Sequence, residues 1–219
     1  MAVYLVTGGC GSLGRAVVHF LASQGHQIGI IDMALAQKMP DAAVCICGID
    51  VADKTSVSGA MADIVTTLGP VDGLVNISGG FLWETVEHGS PDQWDAMYRT
   101  NLRTAVVASR EVLKHIGNGG AIVNVGAAAA ANPAIGMAPY AASKAGVMAL
   151  TKSLAEELRE RSIRVNAILP TIIDTPANRR DMPDADPSGW VKPEAIAKVV
   201  AFLLSDDAAP ITGAGIPLS

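Results

Sequence analysis

No stretch of this sequence stays apolar for the roughly 20 residues that a membrane-spanning helix needs. The alanine run 127–131 is short and follows a valine-rich, strand-like segment. Basic residues are in deficit: 16 Lys and Arg stand against 21 Asp and Glu, a formal net charge of −5. That balance argues against nucleic acid as a partner. No basic cluster marks an anionic lipid surface, and in "EELRERSIRV" acids and bases alternate as on a solvated helix face. Cysteine is sparse, with only Cys10, Cys45 and Cys47. Three thiols cannot all pair, and a strand-like run is expected to hold the side chains of Cys45 and Cys47 apart, which disfavours a disulfide between them. A metal site needs more ligands than these spacings supply, so no metal is expected. Free thiols in a reducing cytoplasm are the expectation. A first strand that begins at Ala2 leaves no room for a leader, which again points to the cytoplasm.

What the chain does have is a hydrophobic half: 50% of its 219 residues. That is enough for one substantial core, and a single α/β domain over 1–219 is expected. Apolar runs recur at 2–7, 27–32, 42–47, 71–76, 121–125 and 163–169, and a last short run, "GAGIPLS", follows. Most are apolar throughout rather than alternating, as strands buried on both faces of a parallel sheet are. Helical segments lie between them, at 13–24 closed by Gly25, at 140–161 and at 193–205. Another opens at "SPDQWDAMY", with Ser90 as N-cap, Pro91 at the first helical position and Gln93 completing a capping box. The β-α alternation specifies a doubly wound sheet with right-handed crossovers. Residues 171–192 form the one long segment without a clear element, and such loops are usually functional.

"LVTGGCGSLGRAVV" joins the first strand to the first helix. Glycines at 8, 9, 11 and 14 let the backbone approach a ligand closely. The helix start behind them, at Ser12, Leu13 and Gly14, offers free N–H groups to a pyrophosphate. Asp32 ends the second strand and can accept bonds from both hydroxyls of an adenosine ribose, while repelling a 2′-phosphate. Met33 follows it, and no Lys or Arg precedes Gly14 in the turn to offset that repulsion. Arg15 points away from the ribose on helical phase. NAD(H) is therefore expected over NADP(H). Tyr140 and Lys144, in "YAASK", stand one helical turn apart on a common face.

Taken in order, these motifs resemble the short-chain dehydrogenase/reductase family. "TGGCGSLG" is similar to its glycine motif, "IIDM" to its cofactor-choosing acid and "CGIDVAD" to its adenine contact at Asp50 and Val51. "LVNISGG" carries its Asn-x-x-Gly element at Asn76 and Gly79, "YRTNLRTA" its mid-helix Asn101, "YAASK" its Tyr-x-x-x-Lys, and "ILPTIIDTP" its turn after strand six, with Pro170, Ile173 and Thr175. The resemblance implies a Rossmann-type, three-layer sheet of about seven strands, a homodimer or homotetramer, a nicotinamide cofactor and a small-molecule substrate. It makes Tyr140 the general acid or base. Lys144 holds the nicotinamide ribose and lowers the phenol's pKa: an ammonium ~4–5 Å away is worth roughly two to three units at an effective dielectric near 20. Asn101 anchors a proton-relaying water, and Thr175 binds the carboxamide.

Two departures stand out. The family's catalytic serine position is Ala127, and Pro170-Thr171 replaces the usual Pro-Gly. Both resemble one branch, the dihydropteridine reductases, as does the segment from Ile173 to Trp190. Two tryptophans are further substrate-side candidates. Trp83 either stacks on a planar ring or anchors its loop, and Trp190 either closes the 171–192 segment or caps the core. The expected function is an NAD(H)-dependent oxidoreductase acting on a small carbonyl, alcohol or imine-like compound. A quinonoid dihydropterin is the sharper alternative, and a nucleotide-binding sensor or scaffold with little catalysis is a third reading.

Overall fold

The computed structural model describes residues 1–35 and 38–219. Seven strands form its sheet: β1 (Val3–Thr7), β2 (Gln27–Ile31), β3 (Val44–Ile46), β4 (Val71–Asn76), β5 (Ile116–Val125), β6 (Arg164–Pro170) and β7 (Gly215–Leu218). Helices α1 (Ser12–Ser23), α2 (Lys54–Leu68), α3 (Pro91–Met97), α4 (Thr104–Val112), α5 (Ala138–Glu157), α6 (Pro176–Asp181) and α7 (Pro193–Leu204) fall between them. The strand order is β3-β2-β1-β4-β5-β6-β7, and every pairing is parallel.

The apolar runs become central strands because both faces are covered. All of β1 is buried. Its Tyr4 and Val6 join the core formed with Leu13, Val17 and Leu21 of α1 and Ile196, Val200 and Leu203 of α7. Leu5, pointing the other way, joins Met61 and Ile64 of α2, Val107 and Val112 of α4 and Leu154 of α5. The result is a three-layer stack, each fully buried Leu or Ile contributing about 1.5–3 kcal/mol. Gly25 takes φ +83° and ends α1, with the His26 amide donating to the Leu21 carbonyl (3.3 Å) as in a Schellman turn.

Four local features differ from the sequence expectation. Strand β5 starts at Ile116, which pairs with Val71, and Gly117, Gly119 and Gly120 lie in the register shift before Ala121 meets Gly73. Ser90 caps α3, but its hydroxyl accepts from Asp92 (3.2 Å), one residue before the position a capping box uses. The segment 171–192 contains α6 and a 3-10 turn at Pro187–Gly189, and the Ile173–Val191 bridge ties it down. Strand β3 stops at Ile46, and Cys45 and Cys47, two residues apart, share one face, their Sγ atoms 3.4 Å apart rather than held apart.

Strand order reverses between β1 and β4. In an open parallel sheet the crevice beyond the carboxyl ends of such strands is where ligands bind. Here those ends are Thr7 and Asn76.

Candidate active site

A cleft of about 1110 Å³ opens over those strand ends. Its floor is the turn from β1 to α1. Gly8 takes φ +71°, and a β-carbon on it would stand 2.8 Å from the Ser78 nitrogen. A β-carbon on Gly14 would stand 2.1 Å from the Gly8 carbonyl. Only glycine lets the turn fold this tightly against the start of α1. Gly11 is the N-cap and supplies no side-chain acceptor. The first-turn amides of Ser12, Leu13 and Gly14 have no carbonyl within the helix to bond. With the positive end of the helix dipole behind them, they suit a pyrophosphate. Arg15 reaches back over the turn, with Nε donating to the Cys10 carbonyl (2.9 Å), and lies outside the cleft lining.

Asp32 sits at the cleft wall, 8% exposed. Its Oδ2 accepts from the Cys10 amide and its Oδ1 from the Ala34 amide, each at 2.8 Å. Each carboxylate oxygen keeps a further lone pair for a hydroxyl. Asp50 is held similarly by the Ala52 amide (2.8 Å) and by the Arg99 guanidinium, and Val51 lines the cleft beside it. These residues fit the adenosine half of a dinucleotide.

The chemistry end is built on α5. Lys144 is 5% exposed, and its Nζ donates to the Val125 carbonyl (2.8 Å). Tyr140 stands a turn earlier, with Nζ 6.0 Å from its ring centroid. None of the described residues hydrogen-bonds the Tyr140 hydroxyl, and the residue lines the cleft. The lowering of the phenol's pKa expected from the ammonium does not prevail. Burial pushes the Tyr140 phenol up to about 12 and brings the Lys144 ammonium down to about 8. Desolvation penalises both charged forms, so at neutral pH the pair is a phenol with a cation behind it.

Gly79 shows why this arrangement fits. A β-carbon there would lie 2.7 Å from Asn101 Oδ1 and 3.3 Å from Lys144 Nζ. Asn101 sits in a π-helical turn, Tyr98–Arg103, inserted between α3 and α4. Its side chain is engaged at both ends: Oδ1 accepts from the Gly80 amide (2.9 Å), and Nδ2 donates to Ser143 Oγ (2.9 Å). It is 1% exposed and does not line the cleft. The residue is thus a brace between the Gly79 loop and α5 rather than a side chain offered to substrate. Asn76 likewise turns inward. Its Nδ2 donates to Ser109 Oγ (3.0 Å) and to Asn124 Oδ1 (2.8 Å), and Asn124 in turn donates to Thr151 Oγ1 (2.9 Å). This buried polar chain crosses β4, β5 and α5 beneath the cleft.

Pro170, Ile173 and Thr175 line the cleft on the far wall. Thr175 caps α6 by accepting from the Asn178 amide (3.1 Å), which leaves its hydroxyl proton free to donate. Ala127 is 4% exposed and faces the cleft with no hydroxyl. The two tryptophans are elsewhere. Trp83 packs on Gly136, where a β-carbon would meet the indole at 2.2 Å, and neither it nor Trp190 lines the cleft. Phe81, two residues from Trp83, takes the aromatic position instead: its ring meets Tyr140 edge-on at 5.0 Å and 78°. Asn132, Met137, Asn178 and Met182 complete that end. Phe81, Asn132 and Met137 have no local sequence signal, because loops carry them to the site, whereas Asn178 and Met182 fall in the segment from Ile173 to Trp190 that the sequence singles out.

A family model for short chain dehydrogenases matches residues 2–186. The D-threitol dehydrogenase of Mycolicibacterium smegmatis is 34% identical over 233 residues, covering 98% of this chain and 90% of that one. Among solved structures, the 3-ketoacyl-(acyl-carrier-protein) reductase from Brucella melitensis complexed with NADH superposes with a TM-score of 0.87 at 29% identity, covering 99% of this chain and 96% of that one. A blue fluorescent protein from a metagenomic library, in complex with NADPH, superposes with a TM-score of 0.88 at 29% identity, covering 100% and 96%.

Proposed function

Since this chain belongs to the short-chain dehydrogenase family and is an oxidoreductase, we propose that it is an NAD(H)-dependent reductase of small carbonyl or imine-like compounds. In this reading the whole chain 1–219 is one dinucleotide-binding domain. The observation that carries the reading is the neutral Tyr140 phenol standing in the cleft with the Lys144 cation behind it. A bound nicotinamide supplies or accepts the hydride. The first turn of α1 and Asp32 hold the dinucleotide, and Thr175 orients its far end. Tyr140 donates its proton to the substrate atom that gains negative charge, and Lys144 stabilises the phenolate left behind. The preference for NAD(H) rests on Asp32: a 2′-phosphate would meet a buried carboxylate at the cleft wall.

The residue at 127 favours one substrate class within this reading. A ketone's developing alkoxide loses about 10²–10³ in rate when a hydroxyl donor is missing. A quinonoid dihydropterin develops no alkoxide and loses nothing by Ala127. The 171–192 segment resembles that of dihydropteridine reductases as well. The test is NADH oxidation with a quinonoid dihydropterin against a panel of ketones. Faster turnover of the pterin supports this substrate. Faster turnover of a ketone removes it, and tight NADH binding with no turnover of anything supports a nucleotide sensor.

Assembly as a homodimer or homotetramer is part of the proposal. Ala142, Ala145 and Ala149 are exposed on one face of α5, and Val106 of α4 is 38% exposed. Close helix packing between copies would cover such surfaces. The mass in solution, measured by light scattering, checks this.

A further inference from the structure

The three cysteines come from separate parts of the chain and meet beside the adenosine end of the cleft. Cys10 lies in the turn between β1 and α1, Cys45 in β3, and Cys47 just beyond it. Their Sγ atoms all lie within 4.8 Å of one another, and none is in a disulfide. Gly48 takes φ +74° immediately after Cys47, part of the bend that carries the third thiol inward. The dinucleotide reading uses Cys10 only through its backbone amide and leaves all three sulfurs without a task.

We propose that Cys10, Cys45 and Cys47 form a three-thiolate site for a soft divalent cation such as Zn²⁺ or Cd²⁺. Metal–sulfur bonds of about 2.3 Å put the sulfurs of one coordination sphere about 4 Å apart, close to the spacing seen here. Thiolate ligands select soft cations over magnesium or calcium. On binding, three S–H bonds break, three S–metal bonds form, and three protons leave to solvent. The oxidation state of the metal does not change, so no oxidant enters. Solvent completes the fourth position through the partly exposed side at Cys45 and Cys47. Burial first, and neighbouring charges and thiols after it, hold Cys10 at about 11 and Cys45 at about 12, so the cation must displace bound protons. Sequence spacing predicts no metal because three cysteines are too few along the chain, whereas the fold brings Cys10 of the turn to the two thiols at β3 and leaves the fourth position to solvent.

The experiment uses the full chain kept reduced with a phosphine and titrated with Cd²⁺. The expected result is a thiolate-to-cadmium ultraviolet band that saturates at one equivalent, with three protons released per cation in weak buffer. Zn²⁺ should displace that band. Cys10→Ser, Cys45→Ser and Cys47→Ser should each weaken binding by at least the ~10–100-fold that loss of a supporting group costs a metal site. Cys45 and Cys47 lie outside the cleft lining. Their variants should keep the parental circular dichroism and NADH affinity, and they decide the matter if Cys10→Ser does not fold. Parental Cd²⁺ affinity in a folded single variant, release of fewer than three protons, or no band at one equivalent overturns the site. This result is independent of which substrate the cleft reduces.

Discussion

The α-carbon of Gly79 faces Asn101 so closely that a β-carbon on it would stand 2.7 Å from Oδ1. The same carbon would stand 3.3 Å from Lys144 Nζ. Gly79→Ala must therefore displace the Asn101 brace or the Lys144 ammonium. The expected outcome is a fall in kcat of about 10²-fold, the cost of misplacing a catalytic group by about 1 Å. NADH binding should stay within a few-fold, measured by fluorescence titration. A variant with parental kcat would show that the brace does not position the lysine.

Tyr140→Phe removes the proposed proton donor and little else, because none of the described residues bonds the hydroxyl. General acid catalysis contributes ~10²–10⁴-fold, and a loss of that size is expected in steady-state NADH oxidation. Full turnover in the phenylalanine variant would end the proposed chemistry.

Lys144 carries a pH signature. Its ammonium is held at about 8, so kcat/KM for reduction should decline as pH rises past that value. Stability moves the opposite way. An ordinary lysine has a pKa near 10.4, so between about pH 8 and pH 10 the unfolded chain binds the proton that the folded chain has lost. This residue's contribution therefore makes the fold more stable as pH rises through that window, by about 3 kcal/mol in total. Denaturant unfolding at pH 7.5 and 10 should show a rise in the parent relative to Lys144→Met; identical pH dependence in the two would refute it (the pH values being about half a unit outside the window's lower edge and near its upper one).

Asp32→Ala removes an acceptor for the ribose hydroxyls and a repulsive charge. A hydrogen bond to a carboxylate is worth about 1.5–3 kcal/mol, so NADH should bind roughly 10-fold or more weakly, while NADPH binds more tightly. Calorimetry with both cofactors checks the exchange, and circular dichroism checks that the freed Cys10 and Ala34 amides have not unfolded the turn. Unchanged selectivity would place the cofactor choice elsewhere.

Ala127→Ser restores a hydroxyl at the cleft wall. Ketone reduction should rise, by up to ~10²-fold, with little change for a substrate that develops no alkoxide. No gain with any ketone would mean that another donor, such as the Asn132 or Asn178 amide, already serves the position.

Much of this molecule can be read before folding because its signals are local. The seven apolar runs, the glycine turn at 8–14, Asp32 at a strand end and the Tyr140–Lys144 turn all depend on short-range periodicity or on one backbone conformation. What could not be read depends on where distant pieces meet. The motif places Asn76 at the cofactor, whereas in the fold its side chain turns inward and ties β4 to β5. Trp83 and Phe81 share a loop, and packing on Gly136 decided which ring turned to the cleft. The π-helical turn that holds Asn101 has no compositional mark. The Tyr140 phenol is raised rather than lowered because spacing reveals the neighbouring ammonium, whereas desolvation depends on the atoms that the fold packs around the ring.

The tie between Ile173 and Val191 has an evolutionary corollary. The Asp174 amide donates to the Val191 carbonyl (2.9 Å), and the Val191 amide donates to the Ile172 carbonyl (2.8 Å). The excursion between them is thus a closed purse whose drawstring is main chain. Residues can be exchanged or inserted inside it, at α6 and the turn beyond, without pulling on β6 or α7. Substrate choice is free to drift there, beyond Thr175, while the part of the dinucleotide grip built on the opposite wall, the α1 turn and Asp32, lies outside the loop.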